Sequence, residues 1–271
     1  MRPRVAFLVA GQVRCAAFGA GPDGLGHAVA AHLRRNVFND ALDASFEYDV
    51  FMSVDVASRA TCDAFFGPHL ASFECLPELG ADVQCPGFEV PISAFNYRLQ
   101  RAWRAMSARA MSARAMSARA PPYDLVVKLR PDVEYYHDLV PCLLALQRHP
   151  EKQMVFVWDI AWAGRHGIME ACCNQYGAFF PALPASSDRD PVFGSYYSRS
   201  LGRPTRELTT VPEFQLAECA MKYVRDRGLR LPAALVDSRI NFKAVRWARS
   251  HHDANGIPAD AYDRAREADF P

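Results

Sequence analysis

The order of apolar and polar positions divides the chain into alternating short runs and longer periodic stretches. Val5–Ala10 is a continuous apolar run and predicts a first strand, left through Gly11-Gln12-Val13-Arg14. Gly19–Gly26 is glycine-rich and predicts loop, and Leu25, Val29, Leu33 and Val37 then recur at helical spacing, with Asn39-Asp40 as the stop. Tyr48–Ser53 predicts a strand, Ser58–Leu70 a helix, and Ala71–Cys85 contains a third strand. A helix is expected from Phe95 up to Pro121-Pro122, which cannot continue it. The strongest strand signal is the apolar run Leu125–Val127, continued by Leu129 and flanked by Lys128 and Arg130; it ends at Pro131, which removes a ladder donor and restricts Arg130. Later expectations are a helix over Leu139–Gln147, a strand over Met154–Trp158, and a Gly/aromatic loop over Ile160–Gly167. A short strand over Asn174–Phe180 and a polar excursion over Ala185–Thr210 follow. Pro212-Glu213 opens a helix over Phe214–Arg227, closed by Gly228, and Arg239–Trp247 reads as a late strand or helix. Alternating β and α signals of this kind predict an α/β protein with a largely parallel, layered sheet flanked by helices. One domain over residues 1–249 with a peripheral tail over 250–271 is the expected organisation.

One passage breaks the pattern. Ala-Met-Ser-Ala-Arg is written three times, from Ala105, Ala110 and Ala115. The residues favour helix, but a five-residue step turns about 140° around a helix of ~3.6 residues per turn. Met106, Met111 and Met116 therefore share no face, and residues 105–120 read as a low-complexity extension with no packing role.

Composition narrows the function classes. Half of the 271 residues are hydrophobic and the formal net charge is +1, so nothing points to a grip on nucleic acid or on an anionic membrane. No segment reaches the ~20 apolar residues of a membrane span, and the N-terminal apolar run is too short for a secretory core. A cytoplasmic protein is the expectation. The eight cysteines show no C-x-x-C spacing and predict free thiols. Only Lys128, Lys152, Lys222 and Lys243 are lysines, so positive charge is carried almost wholly by arginine.

Candidate chemistry gathers after the central strand. Asp132 and Glu134 stand just beyond Pro131, at the carboxyl end of a strand, where open α/β sheets place ligands. Oxygen ligands two residues apart can hold a hard divalent cation against a diphosphate, although a solvated acidic turn accounts for the same residues. Gly11 allows close backbone approach, and Arg14 beyond it suits a phosphate or base. Gly19-Ala-Gly-Pro-Asp-Gly24 spells G-x-G-x-x-G, but it begins well after the strand and contains Pro22, so it reads as coincidence. Asp188-Arg-Asp190 and His251-His252 read as solvated turn and tail. Glu213 is at once a capping acid and, should its helix face the Asp132 pocket, a base.

The order of these pieces resembles GT-A-type glycosyltransferase-like proteins of algae, their large DNA viruses and bacterial polysaccharide loci. The resemblance rests on Val5–Arg14, Tyr48-Asp-Val-Phe51, Gln100 on its helix, Tyr123–Asp132, and Val211-Pro-Glu-Phe-Gln-Leu216, spanning about Arg4 to Trp247. It implies a GT-A-like nucleotide-diphospho-sugar fold and transfer of a sugar from a nucleotide-sugar donor to a carbohydrate or glycan acceptor. It further implies Mn²⁺ or Mg²⁺ on Asp132 and Glu134, a nucleotide-sugar cradle of Gly11, Gln12, Arg14 and Arg130, and catalytic roles for Asp132 and for Glu213 as base. Two departures stand: Asp-Val-Glu replaces Asp-x-Asp, and Lys128 precedes the Leu-Arg-Pro segment. The rival readings are a non-catalytic nucleotide- or carbohydrate-binding relative and a Rossmann-type cofactor enzyme such as a methyltransferase.

Overall fold

The computed structural model describes residues 2–11, 25–55, 57–77, 79, 83–84, 90–116, 123–135, 138–157, 161–174, 219–220, 223–224, 226–229, 235–237 and 242–244. In chain order these form β1 (Arg4–Gly11), α1 (Leu25–Asn36), α2 (Asp40–Ser45), β2 (Glu47–Val54), α3 (Arg59–Phe66), β3 (Leu70–Cys75) and α4 (Val90–Met116). Then come β4 (Leu125–Leu129), β5 (Val133–Tyr135), α5 (Val140–Arg148), β6 (Met154–Val157), β7 (Ala161–Arg165), α6 (His166–Cys173), β8 (Leu235–Asp237) and β9 (Phe242–Ala244).

The expected α/β class, a layered sheet flanked by helices, is what forms. Seven strands lie in the order β3-β2-β1-β4-β7-β6-β8, and β5 pairs with β9 in a separate two-stranded ladder. The β3/β2, β2/β1, β1/β4 and β6/β8 pairs are parallel, while β7 runs antiparallel to both neighbours. Side chains alternate across the sheet, so each central strand feeds two cores. Val5, Phe7, Val9, Leu125, Val127 and Leu129 pack under α1 and α5, against Val29, Leu33, Leu143 and Leu146. Ala6, Leu8, Ala10, Phe51 and Val126 pack under α4 and α6, against Leu99, Trp103, Met106, Ile168 and Met169.

Several local expectations change. Asn39 does not merely stop a helix: its side chain accepts from Leu42 N and caps α2. The Gly/aromatic stretch after residue 160 is strand β7 followed by α6, because Gly164 lets β7 pass close to the Gln153 carbonyl and Met169. Beyond its first residue, the strand expected over Asn174–Phe180 lies outside the described residues, as do the excursion over 185–210 and the tail from 250. Gly228 has φ of 62°, and Leu229 N–H donates to Val224 O (3.0 Å), as expected for a glycine-closed helix.

The repeat is not uniform in what it does. Met106 of the first copy is fully buried, and Arg109 of that copy donates through Nε and Nη2 to Asp49 (3.2 and 3.0 Å). Met111 of the second copy is 65% exposed. The 140° step explains the difference: one copy reaches the sheet and the next is rotated away. The expectation that no part of the repeat packs is therefore corrected for its first unit.

Candidate functional site

The chain travels from β1 outward to β2 and β3, then returns to the other side of β1 as β4. That reversal makes the gap between the carboxyl ends of β1 and β4 a topological switch point, where a crevice can open between diverging connections. Gly11 ends β1 there, with φ of 132°, a conformation that L side chains rarely adopt. A β-carbon placed on it would lie 3.6 Å from the Phe95 ring and 3.7 Å from Pro131 Cδ. The backbone of the first loop thus meets the turn after β4, so the structure brings Gly11 together with the Arg130-Pro131-Asp132 segment.

Asp132 is 1% exposed. Arg130 donates to it by Nε (3.0 Å to Oδ1) and Nη2 (2.9 Å to Oδ2), a two-pronged ion pair that fixes both planes. The turn is clamped from behind. Arg130 N–H donates to the Tyr135 hydroxyl (3.3 Å), and that hydroxyl donates back to Arg130 O (3.4 Å). Tyr135 O is in turn held by α1, through Asn36 Nδ2 and through His32 Nδ1 at 3.0 Å. Tyr135 and α1 therefore hold the backbone of the turn, and Asp132 holds the Arg130 guanidinium.

Lys128, the second departure, is fully buried on the α4 side of β4. Its Nζ lies 4.7 Å from the centroid of Phe95 and 5.4 Å from that of its cross-strand neighbour Trp162. A desolvated ammonium gains from facing aromatic rings. Phe95 is thus shared between Lys128 and Gly11, which ties a buried positive charge to the carboxyl rim of the sheet at the switch point.

A second buried cation occupies the far side of the same rim. Arg98 is one helical turn beyond Phe95 on α4 and 2% exposed. Nη2 donates to Leu76 O (2.7 Å), and Leu76 N–H donates to Val54 O (2.7 Å) at the end of β2, beside Gly11 in register. Its Nε and Nη1 have no hydrogen-bond partner among the described residues. Burial pushes the guanidinium's pKa down, and the nearby Asp55 carboxylate opposes that shift.

The opposite, amino edge of the sheet carries a different grouping. Tyr123 Oη donates to Asp49 Oδ2 (2.5 Å), which also accepts from Arg4 Nη2 (3.3 Å) and is paired with Arg109. Burial of the phenol and this hydrogen bond to Asp49 push the Tyr123 pKa upward. Lying at the far end of the strands from Gly11, this cluster joins β1, β2, α4 and the start of β4.

Of the residues singled out in the sequence, Gly11, Arg130 and Asp132 converge. Gln12, Arg14, Glu213 and Gly19–Gly24 lie outside the described residues, and Glu134 is placed only by its backbone, opposite Lys243 in the β5/β9 ladder. For the expected Mn²⁺ or Mg²⁺, both Asp132 carboxylate oxygens accept from Arg130. Among the described residues no three His, Cys, Asp or Glu side chains gather as a metal site. Arg98 and Tyr135 were missed. The signal for Arg98 was present: it interrupts an apolar face of Phe95, Leu99, Ala102 and Met106, where a charge must find a reason to be buried. The six described cysteines are free thiols, and no described helix is long and apolar enough to cross a membrane.

No protein-family model matches the chain, and no curated protein matches it. Similar solved structures include mouse xyloside xylosyltransferase 1 in its apo form, at 9% identity and a TM-score of 0.34, covering 88% of this chain and 85% of that one. A Bacillus anthracis protein described as a glucose-1-phosphate thymidylyltransferase, in complex with sucrose, is 10% identical with a TM-score of 0.38, covering 99% and 97%. The galactosyltransferase LgtC in complex with donor and acceptor sugar analogues is 12% identical with a TM-score of 0.32, covering 87% and 73%. Two of these are glycosyltransferases by name and one is a nucleotidylyltransferase; at such identities and scores the likeness assigns no activity.

Proposed function

We propose that the crevice at the carboxyl ends of β1 and β4 binds the diphosphate of a nucleotide sugar, and that the protein transfers the sugar to a carbohydrate or glycan acceptor, as in polysaccharide biosynthesis. The observation that supports this best is the meeting of Gly11 with the Arg130–Asp132 turn at the switch point. A side-chain-free backbone admits phosphate oxygens at close range, and an arginine beside it opposes the charge that builds on a departing diphosphate. Asp132 would act by holding the Arg130 guanidinium in one orientation, so that no reorganisation is needed as charge develops. Glu213 remains the proposed base for the acceptor hydroxyl, from its place in the sequence.

A divalent cation and Arg130 would compete for the same two Asp132 oxygens, so metal dependence is a question about that ion pair. Calorimetry with a panel of nucleoside-diphosphate sugars, with Mn²⁺ and with a chelator, tests the whole reading. Binding by the parent that falls at least tenfold in Arg130→Ala is expected. A folded parent that binds no member of the panel under either condition refutes it. Tight binding without turnover of any acceptor would favour the non-catalytic relative.

A further inference from the structure

The structure assigns a second subsite to the same rim: we infer that Arg98 recognises the nucleoside end of the donor, donating Nε–H and Nη1–H to acceptor atoms of the base or its ribose. This rests on the nucleotide-sugar reading above and extends it to a residue outside the switch point. Burying this side chain carries a cost. A guanidinium cannot shed its charge in a protein, and burying one with two unmatched donors is unfavourable unless something supplies acceptors. Arg98 is 2% exposed, yet Nη2 alone has a chain partner, Leu76 O, among the described residues. Replacing it by an apolar side chain would relieve the cost, so its burial calls for acceptor atoms brought by a bound molecule.

Position then limits what that molecule is. Arg98 is anchored where β2 and β3 end, through the Leu76–Val54 hydrogen bond, while the proposed diphosphate lies between β1 and β4. Two strand spacings separate them, roughly 10 Å. That is the reach from a nucleotide's phosphates to its base. Phe95 and Arg98 sit one turn apart on α4, so a single helix presents one residue to each end of such a ligand. The Asp55 carboxylate acts on Arg98 from nearby, and a negative charge beside the guanidinium suits a neutral base edge better than a bare phosphate.

The test compares two probes by calorimetry: nucleoside diphosphates carrying uracil, guanine or adenine, and inorganic pyrophosphate, which lacks the nucleoside. In Arg98→Met the best nucleoside diphosphate should weaken by about 10–100-fold, the loss of one or two hydrogen bonds to a charged donor, with pyrophosphate unchanged. The melting temperature of Arg98→Met without ligand should equal or exceed the parent's. Arg98→Lys, which keeps the charge but loses the fork, carries the same comparison should the methionine variant fold poorly. An unchanged ratio of nucleotide to pyrophosphate affinity in the folded variant overturns the inference while leaving the switch-point site standing. Equal weakening of both probes also overturns it. A parent that binds neither probe removes the underlying reading instead.

Discussion

Asp49→Ala is the most informative single change for the fold, because three elements and the start of the repeat meet on one carboxylate. Tyr123 is 2% exposed, and its 2.5 Å bond to Asp49 is a hydrogen bond to a charged acceptor, worth about 1.5–3 kcal/mol. The Arg109 side chain is 50% exposed, so solvent screens its pair with Asp49 to at most ~1 kcal/mol, and the 24% exposed Arg4 adds a similar amount. Summed with allowance for overlap, Asp49→Ala should cost about 3 kcal/mol, or roughly 6–12 °C in melting temperature at ~2–4 °C per kcal/mol. Urea unfolding of Asp49→Ala, Tyr123→Phe, Arg109→Ala and the corresponding double variants measures this. Most of the coupling should appear between Asp49 and Tyr123, and less than ~1 kcal/mol between Asp49 and Arg109. A total loss below ~1 kcal/mol, or a larger coupling to Arg109 than to Tyr123, would refute the reasoning. Nucleotide binding should be untouched in Tyr123→Phe.

Other expectations are narrower. Gly11→Ala should lose about 1–3 kcal/mol through its φ of 132° and not through crowding, since Phe95 and Pro131 leave ordinary contact distances; Gly11→Val should be no milder. Met106→Ala should cost ~2–4 kcal/mol, whereas Met111→Gln should lie within ~0.5 kcal/mol of the parent, as denaturant midpoints would show. Tyr135→Phe removes both hydroxyl bonds to the Arg130 backbone and should lower ligand affinity more than stability, read by calorimetry beside a melt. Burial pushes the Cys62 and Cys173 thiols up to about 12. The unfolded chain would ionise them first, so stability should be full below pH ~8.5 and fall between there and about 12. Cys173→Ala should flatten that fall by ~1.4 kcal/mol per pH unit, and an unaltered slope would count against the shift.

The sequence made the central strands legible because both faces are covered. Val5–Ala10 is apolar without alternation, as is Leu125–Leu129 apart from Lys128, and Gly11 marks the end of the first as Pro131 marks the end of the second. The convergence of Gly11 with Asp132 depends on β1 lying beside β4, which the sequence implies only through the resemblance. What could not be read was Asp132's occupation by Arg130, since two residues separated by one proline can face together or apart depending on the turn. Strand β7 was hidden for a different reason. Ala161-Trp-Ala-Gly-Arg165 has little intrinsic strand preference and is held on both sides, by β6 just before it in the chain and by the distant β4. The β8 segment, Leu235–Asp237, is three residues long and carries no period at all. Arg98 was visible as a charge on an apolar face, but only burial shows that it stays there.

The two charged groupings occupy opposite rims of one sheet, with Asp49, Tyr123 and Arg4 at the amino edge and Arg98, Arg130 and Asp132 at the carboxyl edge. Rigidity and recognition are therefore separately adjustable. A variant selected for hardness at the first rim can keep its donor preference, and a change of donor engineered at the second need not soften the framework.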